Sequence, residues 1–161
     1  MTARAKLSSV AGALLIGAAI SPTAGWSELS PQIKNALTNS SLIYIATTRK
    51  SGSFGTRSES WFLYHHGAVY IAARKDSWRA RRIRARRPRA NIRVGTPDGP
   101  SFVATGAIVN EPAIHEIMFR TYAKKYPATD KLELMWPDHK EEYRKALKDG
   151  SRVLIKYTPS D

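Results

Sequence analysis

The apolar positions of this chain fall into short β-branched and aromatic runs separated by polar breaks that carry glycine or proline. Residues 42–48 (LIYIATT) have the composition of a buried strand. A polar loop, 49–55 (RKSGSFG), follows, and 56–64 (TRSESWFLY) resumes as a strand, first polar and then apolar. His65-His66-Gly67 reads as a tight turn into a third strand at 68–73 (AVYIAA), completing an antiparallel meander. Residues 89–95 and 101–109 form a hairpin about the turn 96–100 (TPDGP), and 151–158 (SRVLIKYT) is a sixth strand.

Helical spacing marks the remainder. Ser30 before Pro31 is an N-cap followed by proline in the first turn, and Ile33, Ala36 and Leu37 carry the apolar face to about residue 38. Asp76 or Ser77 caps a second helix that runs through a series of arginines until Pro88 stops it. Asn110 caps a third, with Ile114, Ile117, Met118, Thr121 and Tyr122 on one face and Pro127 at its end. Residues 138–148 are a polar helix stopped by Gly150, while 130–136 fit neither pattern. The expected fold is mainly β: a six-stranded antiparallel split barrel with three to four flanking helices. Closure removes the edges that an open sheet of that size would expose.

Residues 1–25 differ from the rest. Arg4 and Lys6 precede a 14-residue apolar stretch, 7–20, and the small residues of 21–25 (SPTAG) follow. This is the pattern of a secretory signal. It divides the chain into a signal at 1–25 and one domain at 26–161, exported to the periplasm if the signal is used and cytoplasmic otherwise. The apolar stretch falls short of a membrane span, so no stable span is expected in the mature chain.

Charge narrows the function. The chain has 26 Lys+Arg against 13 Asp+Glu, a formal net charge of +13. Ten of those cations lie between Arg74 and Arg93, with Asp76 the single anion among them. Such an excess favours an anionic ligand, nucleic acid or a membrane surface. Basic arms that bind nucleic acid are commonly tails without apolar anchors, whereas Trp78, Ile83, Ile92 and Val94 interleave here, so nucleic acid is disfavoured. The chain has no cysteine, which excludes disulfides, thiolate metal sites and cysteine nucleophiles. The adjacent His65 and His66 show no third ligand, so no metal site is expected. No serine–histidine–acid arrangement or paired-carboxylate motif stands out, and no catalytic residue is named.

From residue 30 to 158 the chain resembles the FMN-binding split barrels of the pyridoxamine 5′-phosphate oxidase type. LIYIATTRKSG is similar to that family's first strand and turn, and RSESWFLYHHGAVYIAA to its second and third strands. DSWRARRIRARRPRANIRVG resembles its phosphate-binding turn, basic helix and fourth strand, and FVATGAIVNEPAIHEIMFRTYAKKYP its next strand and helix. The resemblance implies FMN as cofactor and Arg57, Ser58, Glu59, Ser60, Trp61, Ile71, Ala72, Ser77, Trp78 and Arg79 as the residues around it. Arg57 and Arg79 would meet the phosphate, Arg79 standing where the family usually has lysine. That chemistry is sound, because a guanidinium offers a dianionic phosphate a bidentate fork. Arg81, Arg84, Arg86 and Arg87 read as a solvated face.

The implied function is a flavin-dependent oxidoreductase acting on a small molecule, working as a homodimer with the cofactor between subunits. Ile43, Ile45, Trp61 and Leu63 are candidates to face the partner. The sequence ends soon after the sixth strand, without the arginine-and-histidine segment of pyridoxamine phosphate oxidases, so that particular reaction is not expected. Two alternatives stand beside it: a non-catalytic binder of flavin or another anion, and a deazaflavin-dependent reductase. The second is raised by Thr47, Arg49, Lys50, Ser51 and Gly52, which partly match a deazaflavin-binding "T-x-x-R-K-S-G" stretch.

Overall fold

The computed structural model describes residues 27–126 and 136–161, with side chains from 27–126 and 141–161. The signal at 1–25, the stop at Pro127 and nearly all of the unassigned stretch 130–136 lie outside the described residues. The order is α1 (Pro31–Asn39), β1 (Ile43–Thr47), β2 (Ser58–Ser60), β3 (Leu63–His65), β4 (Ala68–Arg74), α2 (Trp78–Arg84), β5 (Arg89–Val94), β6 (Ser101–Val109), α3 (Pro112–Lys125), α4 (Trp136–Lys148) and β7 (Arg152–Pro159). Ser30 and Ser77 cap α1 and α2, their Oγ atoms accepting from the Ile33 and Ala80 N–H groups. Helix α3 starts one residue later than expected: Glu111 is its N-cap, and Pro112, with its preset φ, begins the first turn.

All strand pairs are antiparallel, in the order β2-β1-β5-β6-β7-β4-β3. The strands number seven and not six, because the expected strand 56–64 is broken. Its first part, β2, pairs with β1 at one edge, and its second, β3, pairs with β4 at the other. Only Trp61 and Phe62 join them, so Ser60 and Leu63 stand at most about 11 Å apart. The two edges of the sheet must therefore approach each other, curling it into a barrel split along one seam. The break has a packing cause. Phe62 enters the barrel interior, while Trp61 turns outward to the cluster beneath α3.

That division runs through the molecule. Along β4, Val69, Ile71 and Ala73 face the barrel interior, and Ala68, Tyr70 and Ala72 face the α3 cluster. Both faces of the strand are buried, which accounts for its continuous apolar run. Gly106 of β6 lets a helix close on the sheet. A Cβ there would stand 2.7 Å from Tyr157 Cε1 and 3.1 Å from Ile83 Cδ1 of α2. Ile43, Ile45 and Leu63 are sealed within the protomer at 0%, 1% and 3% exposure, which removes them as partner-facing residues. Trp61 is half-buried, stacked on Tyr126 at 4.5 Å between ring centroids.

Helix α2 ends earlier than Pro88 requires. The Arg86 N–H donates to the Ile83 carbonyl and the Arg87 N–H to the Arg82 carbonyl, a Schellman closure with Arg86 at φ 57°. Glycine is favoured at that position because a Cβ is strained there. Arg86→Gly should therefore raise unfolding free energy by about 1 kcal/mol, read from urea denaturation; a loss of stability would refute the closure.

At the seam, the Phe62 N–H donates to Tyr126 Oη at 3.1 Å, and Tyr126 Oη donates to the Ser41 carbonyl at 2.6 Å. Lys125 Nζ lies 3.3 Å from the Phe62 ring centroid. Burial lowers the Lys125 amine to about 8. Between pH 8 and about 10 the unfolded chain holds a proton that the folded chain has released, so stability rises with pH across that window. Lys125→Met should flatten the rise in denaturation midpoint; an unchanged slope would show that Lys125 keeps its proton on the aromatic face.

Candidate functional site

The N-terminal turn of α2 packs across the ends of β1 and β2, and a groove of about 280 Å³ opens where they meet. It is lined by Ile45, Thr47, Arg49, Thr56, Arg57, Ser58, Trp78, Arg79 and Arg82, four guanidinium groups with no carboxylate among them. Two of the four are held by the chain. Arg79 Nη2 donates to the Ser58 carbonyl, Ser58 Oγ and the Glu59 carbonyl at 3.0, 2.7 and 3.1 Å. Arg82 Nη1 donates to the Thr47 carbonyl and Thr47 Oγ1 at 2.9 and 2.7 Å. Gly55 permits the close approach of its loop, since a Cβ there would stand 2.9 Å from Arg82 Nη1. Arg49 and Arg57 make no side-chain hydrogen bond or ion pair among the described residues.

The groove is electrostatically unfinished. Burial lowers the Arg79 pKa, and burial with repulsion from Arg87 and Arg49 lowers that of Arg82. Guanidinium nevertheless stays charged at neutral pH. Arg79 Nε and Tyr157 Oη are buried without a hydrogen-bond partner, and burial raises the Tyr157 phenol to about 12. Arg79 and Arg82 each keep one terminal nitrogen without an acceptor from the described residues, and guanidiniums gathered with no carboxylate are the environment an anion relieves.

Of the residues expected around a cofactor, Arg57, Ser58, Trp78 and Arg79 converge on this groove. Glu59 and Ser60 lie on β2 beside it; the Glu59 carboxylate accepts from Tyr44 Oη at 3.4 Å, and Ser60 Oγ donates to the Trp61 carbonyl. Ser77 caps α2 behind it. Trp61 and Ala72 belong to the α3 cluster, and Ile71 lies in the barrel interior at 0% exposure. The sequence assigns no site role to Thr56 or Arg82, marks Ile45 as a partner-facing candidate, and brings in Thr47 and Arg49 only through the deazaflavin pattern. Arg82 was open to detection, since it lies three residues after Arg79 and shares its helix face.

A curled antiparallel sheet split at one seam, with a basic helix over its rim, can be compared with solved structures. The chain has the split-barrel fold of the pyridoxamine 5′-phosphate oxidase-like proteins. A Clostridium acetobutylicum protein of the pyridoxinephosphate oxidase family, related to a general stress protein, aligns at 14% identity and a TM-score of 0.52, covering 79% of this chain and 80% of its own. The heme storage protein HutZ of Vibrio cholerae aligns at 13% identity and a TM-score of 0.56, covering 84% and 92%. An F420 reductase aligns at 18% identity and a TM-score of 0.50, covering 80% and 93%. No protein-family model and no curated protein matches the sequence. Solved split barrels thus carry names as different as heme storage protein and F420 reductase.

Proposed function

We propose that this split barrel binds a flavin nucleotide through its phosphate end and serves as a flavin-dependent oxidoreductase for a small molecule. The observation that carries the reading is the groove lined by four arginines and no carboxylate. When bound, the flavin would supply hydride transfer, and the chain would supply binding and orientation. Arg79 and Arg82, fixed by backbone carbonyls, present the phosphate with preset charge; Arg57 and Arg49 close over it from the two ends of the loop between β1 and β2. FMN is the cofactor of first choice. Deazaflavin is the second reading, favoured by the presence of Thr47 and Arg49 in the groove lining.

The groove, at about 280 Å³, stands at the small end of ordinary ligand pockets, which begin at about 300 Å³. It can seat a phosphate end but not enclose a whole flavin, so a second copy of the chain supplies the remaining wall in a homodimer. Residues 1–25 act as an export signal, and mature protein begins between residues 22 and 27.

Purified protein should be yellow, or become so on FMN addition, and elute as a dimer whose bound flavin is reduced by NADH or NADPH. A colourless protein that takes up neither FMN nor deazaflavin would refute the flavin reading. Binding without reduction by any donor would leave a flavin carrier in place of an enzyme. A monomer that holds flavin tightly would refute the shared site. Amino-terminal sequencing that finds Met1 or Thr2 would refute export.

A further inference from the structure

We infer that the arginine groove, which can take FMN by its single phosphate, is better matched to a nucleotide with two phosphates, its base lying on Trp78. This rests on the flavin reading only in placing an anion in the groove. The first argument is donor count. Arg79 and Arg82 each commit one terminal nitrogen to the chain, leaving about three N–H donors apiece, while Arg49 and Arg57 have about five each. Engaged as two-pronged forks, the four guanidiniums would bring about eight N–H donors to the three terminal oxygens of one phosphate, with about two lone pairs each, whereas a diphosphate spreads them over about five oxygens. The charges agree, since four guanidiniums face at most about two negative charges on a monophosphate and about three on a nucleoside diphosphate.

The second argument is exposed aromatic surface at the same place. Among the described residues the large exposed hydrophobics are Phe54 at 40% and Trp78 at 68%. Trp78 lines the groove itself, and Phe54 adjoins Gly55 in the loop packed on Arg82. Arg81 and Arg82 lie 4.9 and 5.6 Å from the Trp78 ring centroid, so the indole is steadied by cations beside the groove. Cations that hold phosphates next to an exposed indole are the recognition elements of a nucleotide, because every base has a face that stacks. The confined volume favours one nucleotide over a strand, which needs a continuing track of charge.

Calorimetric titration of the full chain at one fixed salt concentration tests this, with inorganic phosphate, pyrophosphate, AMP, ADP, FMN and FAD as probes. Pyrophosphate should bind about tenfold tighter than phosphate, and ADP about tenfold tighter than AMP. Trp78→Ala should weaken ADP about tenfold and leave pyrophosphate unchanged; the side chain is exposed, so the fold survives, as circular dichroism will show. FAD binding tighter than FMN assigns the diphosphate to a dinucleotide, whereas equal FAD and FMN affinities beside tight ADP binding assign it to a free nucleotide. Equal affinity for AMP and ADP, or an unchanged ADP affinity in Trp78→Ala, overturns the inference. So does an oligothymidylate that outcompetes ADP with a steep salt dependence, which would make the surface a single-strand binder. Preferential ADP binding in a protein that takes up no flavin would refute the flavin reading and leave this inference standing. FMN binding without a preference for ADP would do the reverse.

Discussion

Arg79→Ala should lower FMN affinity about ten- to a hundredfold while the barrel remains folded. The range follows from hydrogen bonds to charged groups, worth about 1.5–3 kcal/mol each. Arg79 is the guanidinium most deeply placed in the groove, and its Nε is a buried donor with no partner. Its other attachments, to Ser58 and Glu59, are to an exposed edge strand where water can replace them. Arg79→Lys should fall between wild type and alanine, since lysine keeps the charge and loses the fork. Arg86→Ala is the control: Arg86 is exposed and outside the groove lining, and its loss should change affinity less than twofold. Titration of apoprotein with FMN, followed by flavin fluorescence, gives the three constants. Equal losses at Arg79 and Arg86 would mean that only net charge matters and that no defined phosphate site exists.

Phe62→Ala should cost about 3–5 kcal/mol, a large share of the about 5–15 kcal/mol available to a domain. Phe62 is 0% exposed and sits where the chain crosses from one sheet edge to the other. Its ring fills the barrel interior at the seam, and its N–H is held by Tyr126 Oη, which also ties down the Ser41 carbonyl. Truncation leaves a cavity at the place where no ladder of hydrogen bonds joins the edges. Phe62→Leu, which keeps most of the volume, should recover much of the loss. Urea unfolding measures both. A change under about 1 kcal/mol would show that the seam is sealed elsewhere, by Trp61 and the α3 tyrosines.

The elements were largely legible because each carries its own local physics. Ser30 and Ser77 cap helices wherever the following residues can be helical. Alternation along 89–94 sets Ala90, Ile92 and Val94 inward and declares a half-buried strand. The break at Trp61–Phe62 was not legible, because an unbroken run and a run that changes sheet edge have the same composition. The end of α2 at Arg84 was missed for a related reason: an arginine in the left-handed region leaves no mark, whereas Pro88 does.

The candidate site divides the same way. The cluster of arginines after Ser77 places an excess of positive charge near α2 from the sequence alone, since charge is a property of composition. Which arginines meet is a matter of packing. Arg79 and Arg82 share a helix face, but Arg49 and Arg57 reach them only because β1 and β2 pair beneath α2 and Gly55 lets the loop close in. Conversely, Trp61 and Ala72 lie near the groove residues in the chain and apart from them in space, because the chain turns at Trp61 toward α3 and β4 presents Ala72 to that same cluster. The sequence by itself determined most of the secondary elements, the fold class and the excess of positive charge near α2, all of which are local or additive. Tertiary structure alone decided the split of the barrel, the members of the groove and the unpaired Arg79 donor, because each depends on contacts between residues far apart in the chain.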